Sequence, residues 1–274
     1  MDGKCEKTLR STLDESNFAK LAGIANAEVH RFVAEAVELC EPASVFVASD
    51  ADADVAYVRE LAISNGEEKP LATEGHTIHY DGYNDQARDK ARTKYLLPEG
   101  ADLGERLNSI DRREGLAEVR GFLKGSMRGR EALVRFFCLG IPDSEFSIPV
   151  MQITDSAYVA HSEDLLYRTG YGEFVRRGDD AAFFRVLHSA GRVGEDRTSL
   201  DVDRRRVYID LDDEIVYSVN TQYAGNTVGF KKLSLRLAIR KADREGWLAE
   251  HMFLMGVHGP NGRVTYFSGA YPSA

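Results

Sequence analysis

Apolar side chains recur at three- and four-residue steps over the first part of the chain. Between positions 17 and 40 the apolar residues are Phe18, Leu21, Ile24, Ala25, Val29, Phe32, Val33 and Val37. This period predicts an amphipathic helix, or two helices in succession. The apolar segment 44–48 that follows predicts a buried strand.

The acidic segment 50–55 allows two interpretations. Asp50, Asp52 and Asp54 alternate with small residues and stand in front of a second periodic run that begins at Val55. Three such carboxylates could form a metal cluster, or they could mark the start of a helix. The helix start is favoured because acidic side chains are stabilised near the positive end of a helix dipole.

Polar loops and then strands are predicted for the middle of the chain. Segment 66–114 mixes charges of both signs with little periodicity, which predicts long, functional loops with short strands such as 94–97. Apolar runs separated by glycine and proline predict strands at 132–141, 146–153 and 157–160. Segment 183–190 fits a strand or a short helix, and 206–211 and 214–220 fit strands.

The sequence pattern after residue 223 predicts a loop, a helix and a hairpin most clearly. A loop with two glycines at 223–230 precedes a helix whose apolar face includes Leu233, Leu237 and Ala238, and Gly246 is its expected C-cap. Segments 252–257 and 264–268 then predict a hairpin around a turn at 259–262. The whole chain is therefore predicted to have a mixed α/β fold.

Composition narrows the class of protein. The chain has 274 residues with 44 acidic against 35 Lys and Arg, a formal charge of -9, which disfavours a surface for nucleic acid or an anionic membrane. Three cysteines, an odd number at irregular spacing, do not form a disulfide framework. The charged N-terminus has no signal peptide, and no run reaches the roughly 18 apolar residues of a membrane helix, so a cytoplasmic protein is expected.

Several side chains are candidates for chemistry on their residue type and position alone. The glycine loop at 223–230 suits a carboxylate or phosphate, or is simply a connection between a strand and a helix. Lys231 and Lys232 occupy the first helical turn, where the dipole disfavours cations, which invites a functional explanation. The Arg88 guanidinium could form bidentate hydrogen bonds with a substrate carboxylate, or it could pair with a neighbouring aspartate. His251 is either a core residue or a ligand.

The sequence bears on two other classes of enzyme. His76, His79 and Asp81 have a spacing compatible with a metal hydrolase, although strand alternation would place the two imidazoles on opposite faces. No serine lies in a G-x-S-x-G elbow, so a serine hydrolase has no support. His30, His161, His188 and His258 have no convergent partners identifiable in the sequence.

Several strings occur together in the order found in one enzyme family. They are DQAR at 85–88, GSMRGR at 125–130, ITDSAYV at 153–159, YAGNT at 223–227, the lysine pair at 231–232, GWLAEHM at 246–252 and AYPSA at 270–274. From about residue 40 to its end, the chain closely resembles the archaeal branch of the GTP-dependent phosphoenolpyruvate carboxykinase family. Members of that family are lyases of gluconeogenesis that convert oxaloacetate and GTP to phosphoenolpyruvate, carbon dioxide and GDP.

The resemblance implies a substrate site. Arg88 would clamp the substrate carboxylates, and segment 223–226 would line the substrate and carbon dioxide pocket with Tyr223, Ala224, Gly225 and Asn226. Ala224 stands where the family usually has glycine, so its methyl group would be added at the wall of the substrate pocket, where the backbone is expected to approach closely. Ser273 would touch substrate at the start of the phosphate loop, where Ala274 would contact the nucleotide.

The resemblance also implies a metal site. Lys232 and His251 would be two of three protein ligands of an active-site Mn²⁺, and a second ion, Mg²⁺ or Mn²⁺, would accompany GTP. Lysine binds metal only as the free amine, which the metal, the positive helix end and Lys231 would favour. With Arg88 and Tyr223, Lys231 completes the predicted catalytic set.

The predicted organisation is a substrate-binding domain at 1–246 and the start of a P-loop nucleotide domain at 247–274. The family continues its phosphate loop with Cys-Gly-Lys-Thr, so we expect turnover to need a C-terminal half, from a longer reading frame or a second polypeptide. A partner would then cover the apolar hairpin. A non-catalytic module that binds dicarboxylates, and the metal hydrolase above, remain the alternative hypotheses.

Overall fold

The computed structural model describes residues 3–80, 90–222, 230–249 and 251–271, with the backbone alone at 90, 180, 230–235, 251, 252, 254, 270 and 271. Its helices are α1 Gly3–Thr12, α2 Glu15–Ala22, α3 Ala27–Cys40, α4 Asp52–Ser64, α5 Arg112–Leu123, α6 Ala157–Leu166, α7 Tyr171–Arg177 and α8 Phe230–Glu245. Its strands are β1 Ser44–Val47, β2 Lys69–Pro70, β3 Thr77–Ile78, β4 Thr93–Leu97, β5 Ser109–Asp111, β6 Glu131–Leu139, β7 Ile148–Thr154, β8 Arg168–Thr169, β9 Phe184–Ser189, β10 Arg206–Asp210, β11 Ile215–Val219, β12 His251–His258 and β13 Val264–Tyr271.

A mixed sheet organises these elements, in the order β1-β6-β7-β9-β11-β10-β4-β5, with β8 paired to β6. Strands β7, β9 and β11 run parallel to one another. Strands β6 and β10 are antiparallel to them, and β1, β4 and β5 follow the direction of β6 and β10. The direction therefore reverses twice across the sheet.

Helices cover both faces of the sheet because buried side chains alternate along its strands. One core holds residues of α1, α2, α3 and α5 with Val134 and Phe136 of β6. On the opposite face, Phe137 packs in a core that reaches Leu237 of α8, and a smaller cluster joins α4 and α6. This three-layer arrangement confirms the predicted mixed α/β class.

The N-terminal predictions are confirmed in detail. The periodic segment forms two helices, α2 and α3, and the second begins where the Asn26 side chain accepts hydrogen bonds from the amides of Glu28 (3.0 Å) and Val29 (3.2 Å). The acidic segment starts α4, with Asp52 and Asp54 in its first turn. Asp50 instead accepts from the amides that begin α7, at 2.9 and 2.7 Å.

The predicted strand at 157–160 is wrong. Those residues open helix α6, because the Ser156 hydroxyl accepts from the Val159 amide at 3.2 Å. The carboxylate of Glu67, 89 residues earlier, accepts from the Ser156 hydroxyl at 2.7 Å. The Ser156 N-cap, held in place by Glu67, thus outweighs the preference of tyrosine and valine for strands.

The remaining strands match the sequence pattern. Segment 94–97 lies in β4, and 206–211 and 214–220 form β10 and β11. The ambiguous segment 183–190 is the strand β9. The apolar runs 132–141 and 146–153 become β6 and β7.

Helix α8 and the hairpin that follows it in the sequence also agree with the predicted elements. The amides of Gly246 and Trp247 bond back to the carbonyls of Asp243 (3.3 Å) and Ala242 (2.7 Å), which is the Schellman pattern of a helix end. Strands β12 and β13 pair antiparallel over eight residues, from His251 opposite Tyr271 to His258 opposite Val264. Within the described ranges, no helix is both long and apolar enough to cross a bilayer.

Gly170 gives a test of the packing between β6 and α7. A methyl group at this position would lie 2.5 Å from the backbone carbon of Phe137. We expect Gly170→Ala to lower the free energy of unfolding by about 2 kcal/mol or more, because a backbone cannot move aside as a side chain can. The measurement is denaturant-induced unfolding.

The matched control is Gly121→Ala in helix α5, where the added methyl group meets nothing within 4 Å. Alanine should stabilise that helix by up to about 1 kcal/mol. Equal effects of the two substitutions would contradict the packing seen at Gly170.

Candidate functional site

The candidate site is the sheet edge at which β7, β9 and β11 end. Strands β6, β10 and β4 begin at this edge, because they run in the opposite direction. Arg206 of β10 pairs with Val219, at the end of β11, while Val207 pairs with Thr93, at the start of β4. The chain therefore leaves toward residue 223 and returns from residue 88 at one edge, separated by the width of β10.

A buried carboxylate ties the strand ends together. Asp155 follows β7 directly and accepts hydrogen bonds from the Ser189 hydroxyl (2.7 Å) and the Ala190 amide (2.8 Å) at the end of β9. The Arg130 guanidinium, just before β6, lies 2.7 Å from the same carboxylate. Burial raises the pKa of Asp155, and Arg130 and the two donors oppose that rise.

A buried histidine holds the end of β11. His188 lies in β9, with Nδ1 2.6 Å from the Thr154 hydroxyl and Nε2 2.7 Å from the Thr221 carbonyl oxygen. A carbonyl oxygen only accepts, so Nε2 carries the proton and Nδ1 accepts from the threonine. Burial lowers the pKa of this ring to about 4, and it is neutral near pH 7. The imidazole thereby fixes Thr221, two residues before Tyr223.

Glu67 holds the start of helix α6 in place through hydrogen bonds, as His188 holds the end of β11. Its carboxylate accepts from the Tyr158 amide at 2.9 Å as well as from Ser156. Its backbone carbonyl oxygen accepts from His79 Nδ1 at 2.6 Å, and the His79 ring stacks on Tyr158 with centroids 3.6 Å apart. The first helical turn and the preceding loop are thus fastened to one glutamate.

The hydrolase hypothesis gains no support from these contacts. Nδ1 of His79 donates to a backbone carbonyl oxygen, so only Nε2 of this ring could bind a metal. Asp81 lies outside the described residues. Over the ranges that the structure covers, no three His, Cys, Asp or Glu side chains come together as metal ligands.

A polar cleft opens at this edge. It has a volume of about 210 Å³ and is lined in part by Arg130, Asp155, Arg197 and Gln222. Arg130 is paired with Asp155, whereas Arg197 has no ion pair with another described residue. Gln222 donates to the backbone carbonyl oxygen of Arg197 and is the last described residue before position 223. A small acidic group could be bound here by a guanidinium.

Most of the predicted site residues lie outside the described part of the chain. These are Arg88, Tyr223, Ala224, Gly225, Asn226, Ser273 and Ala274. Lys231 and Lys232 follow Phe230 in the first turn of α8, and His251 opens β12, each described by its backbone alone. Their roles as ligands and catalytic groups stay predictions.

Sequence reasoning missed the residues that build the edge. Asp155 and Ser156 form a polar pair directly after a predicted strand, where site residues often lie, and this signal was available. His188 is a single imidazole in an apolar run, and nothing local indicates its partners at Thr154 and Thr221. Arg130 stands in the recognised string 125–130, but its pairing with Asp155 is visible only in the fold.

Comparison with protein families gives two matches. Residues 31–243 match the model described as "Phosphoenolpyruvate carboxykinase N-terminal domain". Residues 247–274 match "Phosphoenolpyruvate carboxykinase C-terminal P-loop domain". The first match alone covers more than half of the chain.

Individual relatives agree with the family models. The chain is 56% identical over 268 residues to "Phosphoenolpyruvate carboxykinase [GTP]" of Thermococcus sibiricus, covering 98% of this chain and 43% of that protein. The protein of the same name from Thermococcus kodakarensis is 57% identical over 265 residues, covering 97% and 42%. That from Saccharolobus solfataricus is 43% identical over 265 residues, again covering 97% and 42%. The chain thus spans less than half the length of these relatives.

The buried imidazole predicts an acid-sensitive fold. His188 in the unfolded chain takes up a proton as the pH falls through about 6.5, whereas the folded ring does so only near 4. Protons therefore favour unfolding within that window, and the free energy of unfolding should fall by up to about 3 kcal/mol from this group.

The test compares denaturant unfolding of the wild type and His188→Gln between pH 7 and pH 4. The variant should be less stable at pH 7, where the contact to Thr221 is perturbed, and should lose less stability on acidification. An unchanged pH slope would show that His188 does not titrate as its burial requires.

Proposed function

This chain belongs to the family of GTP-dependent phosphoenolpyruvate carboxykinases, and we propose that it supplies the oxaloacetate-binding part and two metal ligands of such an enzyme. The reaction of the whole enzyme would convert oxaloacetate and GTP to phosphoenolpyruvate, carbon dioxide and GDP. The observation that supports this assignment is the shared sheet edge, from which the segments carrying Arg88 and Tyr223 both extend.

Chain length allows these two segments to share one substrate. Neighbouring strands lie roughly 4.8 Å apart, so β11 and β4, on either side of β10, are about 10 Å apart. Arg88 stands five residues before Thr93, and Tyr223 stands four residues after Val219. These chain lengths are compatible with the proposal that Arg88 and Tyr223 contact one small ligand at this edge.

Each residue has a stated task in the proposal. Arg88 would hold a substrate carboxylate through two parallel hydrogen bonds and orient the molecule. The Tyr223 ring would cover the departing carbon dioxide, and Gly225 would let the backbone approach closely. The buried contacts of Asp155 and His188 would keep the strand ends in place while the substrate binds.

The metal ligands fit the divalent ion that the family uses. An amine and an imidazole are nitrogen donors, and Lys232 occupies the first turn of α8, where the positive helix end favours the uncharged amine. Lys231 beside it adds a further positive charge. When bound with His251 and a carboxylate from beyond this segment, Mn²⁺ would stabilise the negative charge that develops on the enolate oxygen.

The nucleotide part of the proposal extends beyond this segment. Ser273 and Ala274 would begin the phosphate loop, within the stretch that matches the P-loop domain. GTP with its Mg²⁺ or Mn²⁺ would be bound mainly by the region of the relatives that this chain does not span. We also propose the domain boundary near residue 246, which the end of one family match at 243 and the start of the other at 247 support.

A chimera of this chain with the remaining part of a relative tests the proposed carboxykinase function. We expect this chain, substituted for the matching 43% of the Thermococcus sibiricus protein, to give an enzyme that forms phosphoenolpyruvate from oxaloacetate in a GTP-dependent manner. Arg88→Gln should lower kcat/KM by about 100-fold, because a charge-assisted carboxylate contact is lost. Arg106→Gln, an exposed arginine in the same polar region, should leave activity within about twofold.

The outcomes separate the hypotheses. A folded chimera that binds oxalate but forms no product would favour the non-catalytic dicarboxylate module. Full activity of Arg88→Gln would remove that residue from the substrate site while leaving the family assignment intact.

Metal binding is tested in the same chimera by electron paramagnetic resonance of Mn²⁺. Lys232→Ala and His251→Ala should each weaken Mn²⁺ binding at least about tenfold, because each removes one ligand. His258→Ala, at the opposite end of strand β12, should bind as the parent does. Parent-like Mn²⁺ affinity of both ligand variants would overturn the proposed donor set.

A further inference from the structure

A second and larger cleft opens on the α5 side of the same sheet edge. Its volume is about 590 Å³, within the range of small-molecule sites. The end of helix α5, the turn before β6 and the loop after β9 form its walls. It shares Arg130 and Val193 with the smaller cleft described above.

Positive charge dominates this cleft. Five cationic side chains line it, and Asp201 is the single acidic residue among the described residues of its wall. The five are Lys124, Arg128, Arg130, Arg192 and Arg204. The chain as a whole carries a formal charge of -9, so a cleft lined mainly by cations is opposite in sign to the net charge of the protein. A concave wall of one sign raises the local concentration of the opposite ion.

Three of the cations are already paired. Arg192 forms two contacts to Asp201, at 2.8 and 2.7 Å. Arg128 lies 2.6 Å from Glu41, and Arg130 is paired with Asp155. These arginines have defined positions, and each guanidinium retains further donors for a ligand.

Lys124 and Arg204 differ from the other three. Both are exposed, and neither makes an ion pair with another described residue. Both positive charges line one cleft, and a multiply charged anion bound there would be attracted by both. A single carboxylate carries too little charge to neutralise both.

We propose that this basic cleft binds a small polyphosphate anion, with Lys124 and Arg204 as its principal ligands. Phosphate oxygens accept several hydrogen bonds at once, which matches the donors of lysine and arginine around the wall. Phe122 and Leu200 give the cleft an apolar border on which a nucleoside could rest. The proposal rests on the charge and shape of this cleft and not on the proposed carboxykinase reaction.

Isothermal titration with sodium pyrophosphate, on the full chain with EDTA present, tests this proposal without contribution from metal. We expect one molecule to bind, with an affinity that falls as salt is raised. Lys124→Gln/Arg204→Gln should weaken binding at least about tenfold. Both side chains are exposed, so the variant should keep the unfolding profile of the wild type.

The control is Lys7→Gln/Arg113→Gln, which removes one lysine and one arginine from exposed positions outside the cleft. This variant has the same net charge as the test variant and should bind pyrophosphate as the wild type does. No binding to the wild type, or equal weakening of both double variants, would overturn the proposal. Titration with adenosine diphosphate separates two sources of the phosphates: tighter binding than pyrophosphate supports a nucleotide, and equal binding supports an inorganic polyphosphate.

Discussion

The carboxylate of Asp155 connects three strands at the edge where the candidate site lies. It accepts hydrogen bonds from Ser189 and Ala190 at the end of β9 and pairs with Arg130 before β6, while its own backbone follows β7. A buried charge is costly unless it is paired and hydrogen bonded, and here two donors and a guanidinium meet that requirement. Removing any one of these partners leaves the others uncompensated, so the strand ends are held as a unit.

His188 extends this network to the next strand without adding a charge. Its ring joins Thr154, at the end of β7, to Thr221, beyond the end of β11. A neutral imidazole can do this because one nitrogen donates while the other accepts. The burial that keeps the ring neutral also makes the arrangement sensitive to acid. Local positioning and pH dependence therefore have one physical origin.

Sequence patterns were sufficient where a local cause determines the structure. Asn26 caps helix α3, and the period of apolar residues determines which face of that helix is buried. The strand prediction after Asp155 was wrong although a local signal was present: Ser156 is the N-cap of helix α6, and Glu67 strengthens that helix start from another part of the chain. His188 and Arg130 are different, because their partners are distant in sequence and no local pattern indicates them. The family strings indicated Arg88 and Lys232 through resemblance, and no spacing rule would have paired them.

Arg130 lines both clefts, and its pairing determines how the clefts are related. The guanidinium is about one-third exposed and is held by the fully buried carboxylate of Asp155. An anion in the basic cleft can use Lys124 and Arg204, which lack ion pairs with described residues, without competing for that contact. Breaking the contact would instead leave Asp155 buried and unpaired, at a cost of about 3–5 kcal/mol. Arg130 therefore acts as a fixed wall between the clefts, and each cleft can be occupied while the strand ends stay in place.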